Sequence, residues 1–227
     1  MTNINTTAIA ARIHPLLIAE FILLCAVLPS IIIVYRLAPY MFAFLWGAAA
    51  YGLLIMYRQL RENRAAWIAM WGWDAVTWGN MRPILIRWII CCVGMTAFIY
   101  VIDPARAFQL FLERPYMVLV LFIAYPIFSA LPQEFIFCSF FFRRYAAFFQ
   151  SDLARIIASA ITFAYAHVLF INWVAPLLSL IAGYIFAQTY ARTRSLALVT
   201  IEHGLYGNYL FMVGLGWYFF GGAVGMN

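Results

Sequence analysis

Residues 116–142 read YMVLVLFIAYPIFSALPQEFIFCSFFF and end against Arg143-Arg144, with Glu134 the one charged side chain inside the run. An α-helix rises ~1.5 Å per residue, so ~20 apolar residues cross the ~30 Å hydrocarbon core of a bilayer. This run is long enough to span, and an ionisable group within a span is costly enough to need a partner or a task. Similar runs lie at about Pro15–Tyr35, Leu37–Tyr57, Ile84–Ile102, Leu153–Ile171, Trp173–Tyr190 and Ser195–Phe220. Seven helices are the simplest count. The last run carries Gly204, Gly207, Gly214, Gly216, Gly221 and Gly222, which permit a bend and an eighth span. The expected fold is therefore all-α and polytopic, about seven to eight transmembrane helices in a single integral-membrane domain over 1–227.

Composition points the same way. Of 227 residues, 67% are hydrophobic and only 10% charged, and the mean hydropathy is +0.93, whereas a soluble domain is roughly 25% charged. A water-soluble globule is excluded, and the expected spans leave no length for a separate soluble domain. The net charge of +6 does not imply nucleic-acid binding, because no polar domain presents a face and cytoplasmic loops of membrane proteins are basic anyway. Every basic residue is Arg, and the absence of Lys excludes Schiff-base chemistry. Cys25, Cys91, Cys92 and Cys138 sit in apolar runs without zinc or redox spacing and read as buried free thiols. Arg12 and His14 precede the first run, but no lipobox or AxA-like site follows, so this run is expected to be a retained span.

A cytoplasmic N-terminus places Arg12, Arg58, Arg61, Arg64, Arg82, Arg143, Arg144, Arg155, Arg192 and Arg194 inside, against Arg36, Arg106 and Arg114 outside. That asymmetry predicts an inner-membrane protein of the bacterial kind with its N-terminus in the cytoplasm. Arg87 falls near the inner end of the third run, where it can snorkel. Between the second and third runs, residues 58–82 alternate Trp67, Trp71, Trp73 and Trp78 with charged residues, the pattern of an interfacial segment with aromatic anchors.

The ionisable residues within the spans are Glu20, Glu134, His167, Glu202 and His203. Counting from Arg143, Arg155 and Arg194 at ~1.5 Å per residue puts Glu134, His167 and His203 all ~14–18 Å from the inner surface. Three helices thus bring a carboxylate and two imidazoles to one level, which predicts a shared site. The competing reading makes each a helix–helix hydrogen bond. Glu202 points ~100° away from its neighbour His203 and is expected to serve another helix or the cavity wall. Glu20 has no depth-matched partner and fits structural pairing and function equally. Phe163 and His167, at i and i+4, share a face.

These residues resemble the CPBP family of intramembrane proteases, which includes type II CAAX prenyl endopeptidases and bacteriocin-processing relatives. The family shows EExxxR, FxxxH and HxxxN on three core helices. The corresponding stretches here are Gln133-Glu134-Phe135-Ile136-Phe137-Cys138, Phe163-Ala-Tyr-Ala-His167, and His203-Gly-Leu-Tyr-Gly207 followed by Asn208. The likeness runs over about 125–208, the expected core on the last four helices. It departs at three places: Gln133 stands for the first glutamate, Cys138 for the arginine and Gly207 for the asparagine, a variant with Pro132-Gln133-Glu134 in place of the di-glutamate.

The resemblance implies an intramembrane endopeptidase that needs no cofactor and acts on a peptide or protein at the membrane, prenylated or bacteriocin-like. Carried over, Glu134 with His167 activates water, and His203 with Asn208 stabilises the oxyanion. An amide cannot take a proton at neutral pH, so Gln133 cannot be the base. Two rivals stay open on the residues alone. Glu134, His167 and His203 form a two-His, one-carboxylate set of metal-ligand type, although no HExxH spacing accompanies it. The Gln133 and Cys138 replacements also fit a catalytically inactive binding or immunity-type protein of the same fold. A transporter would want internal repeats and paired broken helices, and neither is visible.

Overall fold

A computed structural model describes residues 15–61 and 63–220. Arg12, His14, Gly221 and Gly222 lie outside the described residues. The long helices are α1 (Pro15–Val34), α2 (Met41–Leu60), α4 (Trp78–Ile102), α6 (Pro115–Arg144), α7 (Asp152–Ala166), α8 (Val174–Thr193) and α9 (Leu196–Val213), with shorter α3 (Arg64–Trp71) and α5 (Gln109–Glu113) between them. Among the described residues there is no strand, and six helical segments are long and apolar enough to cross a membrane. α9 is the seventh long helix of the bundle. Its ionisable residues fall where it is covered by other helices: Glu202 and His203 are buried, as are Tyr206 and Gly207 beside them.

The lipid-facing and central helices separate by burial. Within its most apolar stretch α8 is 50% buried, whereas α1 is 11% buried. α7 and α8 pack along most of their length, and α9 lies against α4, α6 and α8. The final apolar run is one helix rather than two. α9 ends where Gly214 takes φ +104°, and a single 3-10 turn, Leu215–Phe219, follows it.

Polar contacts sort the two ends of the bundle. At one end Arg144 holds Glu20 through two hydrogen bonds of 2.9 and 2.6 Å, and the hydroxyls of Tyr51 and Tyr145 also donate to that carboxylate. Arg194 reaches Asp152 at this end, and burial pushes the Tyr145 phenol up, with Cys25 and Glu20 adding to the effect. At the other end Arg106 pairs with Asp103 at 2.7 Å and lies over the Trp217 ring, while Tyr218 donates to Asp103. Glu20 is therefore a structural tie joining α1, α2 and α6. The described arginines of the expected inner group all fall at the Glu20 end by the alternation of the helices, and Arg36, Arg106 and Arg114 fall at the other.

Asn63 caps α3 by accepting the Ala66 N–H at 3.0 Å, and Gly72 ends it in the left-handed region at φ +58°. A Cβ on Gly72 would stand 2.7 Å from the Ser195 Cα. The Ser195 hydroxyl donates to the Gly72 carbonyl at 2.8 Å and accepts the Leu198 N–H at 3.0 Å, so one side chain caps α9 and fastens the tryptophan segment to it.

Candidate active site

The site is built around irregularities in α6. Pro126 and Pro132 offer no N–H to the carbonyls four residues earlier, and a carbonyl left bare inside a bilayer costs several kcal/mol, on the order of 2–7. Neighbouring helices meet both. The Trp46 indole donates to the Phe128 carbonyl at 3.1 Å, and the Asn208 amide donates to the Phe122 carbonyl at 3.3 Å. Two π-helical turns, Pro126–Ala130 and Phe135–Phe140, flank the short α stretch Leu131–Glu134. Each π turn inserts a residue and so rotates the next stretch of helix about its axis. Adjacent residues are also ~100° apart, so Gln133 and Glu134 face different ways.

Gln133 lines a cavity of about 720 Å³ between the helices, together with Tyr125, Ser129, His167 and His203 on otherwise mostly apolar walls. Its amide nitrogen donates to the Ser129 hydroxyl at 2.9 Å. Glu134 sits behind that wall, 1% exposed, with Oε1 2.7 Å from His203 Nδ1. The Cys138 thiol, one turn on, lies against the same carboxylate. Phe186 stacks on the His203 imidazole with centroids 4.5 Å apart, and Tyr125 Oη lies 2.8 Å from its Nε2.

Two protonation states satisfy this chain. With Glu134 ionised and His203 neutral, Nδ1–H donates to Oε1 and Nε2 accepts the Tyr125 O–H. With one more proton on the pair, Nε2–H donates to the phenol oxygen, and the tyrosine's own O–H is freed for another acceptor, the neighbouring Ser129 hydroxyl or an oxygen in the cavity that Tyr125 lines.

His167 stands at the end of α7, where the helix tightens into the 3-10 turn His167–Phe170. Its Nδ1 is 2.7 Å from the Phe163 carbonyl. A carbonyl only accepts, so Nδ1 carries the proton and Nε2 is the basic nitrogen. Phe163 touches both imidazoles, at centroid distances of 4.5 Å to His167 and 5.8 Å to His203. The expected face shared by Phe163 and His167 is present.

The structure gives two of the four expected site residues partners other than those the resemblance implies. The hydrogen-bonded partner of Glu134 is His203 and not His167, because the π turns aim Glu134 at α9. Asn208 does not line the cavity; its amide serves the carbonyl that Pro126 leaves free. Glu202 serves another helix, as its direction implied: its carboxylate takes Arg87, which also donates to Thr189 Oγ1 at 2.8 Å. Arg87 is thus paired inside the bundle instead of snorkelling. Among the described residues no three His, Cys, Asp or Glu side chains gather as ligands. Both His203 nitrogens are committed to Glu134 and Tyr125.

Sequence reasoning missed Tyr125. The available signal was Gly207, four residues after His203 and so on the same face of α9, which leaves a gap for a ring from a facing helix.

Residues 115–208 match the family described as type II CAAX prenyl endopeptidase Rce1-like. No curated protein and no solved structure matches the chain.

Proposed function

We propose that this chain, a member of the type II CAAX prenyl endopeptidase Rce1-like family through residues 115–208, is an active intramembrane endopeptidase that hydrolyses a peptide bond in the cavity beside His167 and His203. The observation that carries this reading is the buried 2.7 Å Glu134–His203 hydrogen bond at a cavity that His167 also lines. His167 Nε2 takes a proton from water, and the water oxygen attacks the peptide carbonyl. The Glu134 carboxylate stabilises positive charge at His203, on the side where the oxyanion forms, and the protonated His167 returns the water's proton to the leaving nitrogen as the carbon–nitrogen bond breaks. Glu134 thus acts through His203, and His167 is the direct base.

The cavity's apolar walls suit a lipid-modified or hydrophobic peptide, prenylated or bacteriocin-like. In this reading 1–227 form one domain with its core at 125–208, the N-terminus faces the cytoplasm of a bacterial inner membrane, and residues 58–82 lie at the inner surface. One observation favours a second reading, an inactive binding or immunity-type protein: the residue on the cavity wall at this level is Gln133, an amide.

The deciding experiment reconstitutes the protein in liposomes with prenylated, unprenylated and bacteriocin-like peptides. Wild type cleaves at least one class. Glu134→Gln, which keeps the volume and one hydrogen bond, lowers kcat by about 10²–10⁴-fold. Chelator leaves the wild-type rate unchanged; loss restored by stoichiometric zinc would move Glu134, His167 and His203 to a ligand role. Full activity of Glu134→Gln refutes the mechanism. A wild type that cleaves nothing, with activity gained only in Gln133→Glu, establishes the second reading.

A further inference from the structure

We infer that Tyr125 is a catalytic residue that donates a hydrogen bond to the developing oxyanion, and that Gly207 is the gap in α9 that seats its ring; the inference rests on the protease reading above. A Cβ at position 207 would lie 2.6 Å from Tyr125 Oη and closer still to its Cε1 and Cζ. The tyrosine therefore occupies the space that any other side chain at 207 would fill. Its ring is also held edge-on by Phe211, with centroids 5.4 Å apart, and its hydroxyl is fixed on His203 Nε2 at 2.8 Å. A phenol packed this tightly has little freedom to rotate away, so its chemistry is set by His203 and by the Ser129 hydroxyl beside it.

The direction of that hydrogen bond depends on the proton count of the Glu134–His203 pair. A hydroxyl has one proton to donate. While His203 Nε2 is unprotonated, it takes that proton's hydrogen bond. Once the pair holds one more proton, Nε2–H donates to Oη, and the O–H is available to a substrate oxygen in the cavity. No bond to Tyr125 is made or broken. The proton stays on the phenol, while positive charge on His203 polarises the O–H towards the carbonyl as it becomes an oxyanion. A donor that strengthens with the charge opposite it stabilises the transition state more than the ground state.

The test compares wild type, Tyr125→Phe and Gly207→Ala in liposomes on any peptide that wild type cleaves, alongside ¹⁵N-histidine NMR of the same proteins. Tyr125→Phe keeps the ring packing and removes only the hydroxyl. Its kcat is expected to fall about 10²–10³-fold with KM within about threefold, and the His203 Nε2 resonance to move while that of His167 stays. Gly207→Ala, which displaces the ring, is expected to lose a similar factor. Tyr125→Phe with kcat within about threefold of wild type, or with an unmoved His203 resonance, overturns the inference and leaves the protease reading standing. A wild type that cleaves none of the peptides overturns that reading instead, and the oxyanion role with it.

Discussion

Replacing Arg87 by Met isolates the energetics of the second buried carboxylate without touching the site. Glu202 has a fully buried side chain, 0% exposed, and its Oε1 is held by the guanidinium of Arg87, whose side chain is 30% exposed. The other oxygen, Oε2, has no hydrogen-bond partner among the described residues. Met preserves much of the aliphatic stem's packing but leaves an uncompensated carboxylate among α4, α8 and α9. Breaking a buried pair by removing one partner costs about 3–5 kcal/mol. The partly exposed guanidinium puts this case at the low end, about 3 kcal/mol. For a chain of this length, with about 2–4 °C per kcal/mol, the melting temperature should fall by roughly 6–12 °C. The companion variant Arg87→Met/Glu202→Leu removes the stranded charge and should recover most of the loss, since apolar replacement of a whole buried pair is often neutral or stabilising. Thermal unfolding of wild type, single and double variants in the same detergent reads this directly. A double variant no more stable than the single, or a single variant within about 2 °C of wild type, would refute the reasoning.

Asn208→Ala should cost about 1 kcal/mol, by losing the hydrogen bond to the Phe122 carbonyl, and leave kcat on a cleaved peptide within about threefold; a loss of 10²-fold or more would return Asn208 to the oxyanion side. Gly72→Ala forces a left-handed Cβ against Ser195 and should destabilise by at least about 1–2 kcal/mol in a thermal melt; an unchanged melting temperature would mean that the tryptophan segment is not fastened to α9 as described. A reporter active only in the periplasm, fused after Arg64, should stay silent, and one fused after Arg106 should be active, if the arginine asymmetry sets the orientation. The opposite pattern reverses the topology.

The all-α, polytopic character of the chain, and the alternation that puts Glu20, Arg144 and Arg194 at one end and Asp103 and Arg106 at the other, are legible in the sequence. Hydropathy acts residue by residue, and a bilayer imposes one length on every crossing. The chemical alphabet of the candidate site is legible for the same reason: a glutamate or histidine in a long apolar run stands out because it is costly there, and Glu134, His167 and His203 stand out on that ground. Their pairing is another matter. Depth counted at 1.5 Å per residue assumes a regular helix, and α6 is interrupted by two prolines and two π turns that rotate Glu134 onto His203 and leave Gln133 on the cavity wall. The partner of Asn208 is set by a carbonyl that Pro126 leaves free on another helix, and the seat of Tyr125 by the side chain that Gly207 lacks. Both depend on which helix faces which. That is decided by close packing across the whole bundle, because a polar group in hydrocarbon takes whatever partner the neighbouring helix brings within reach.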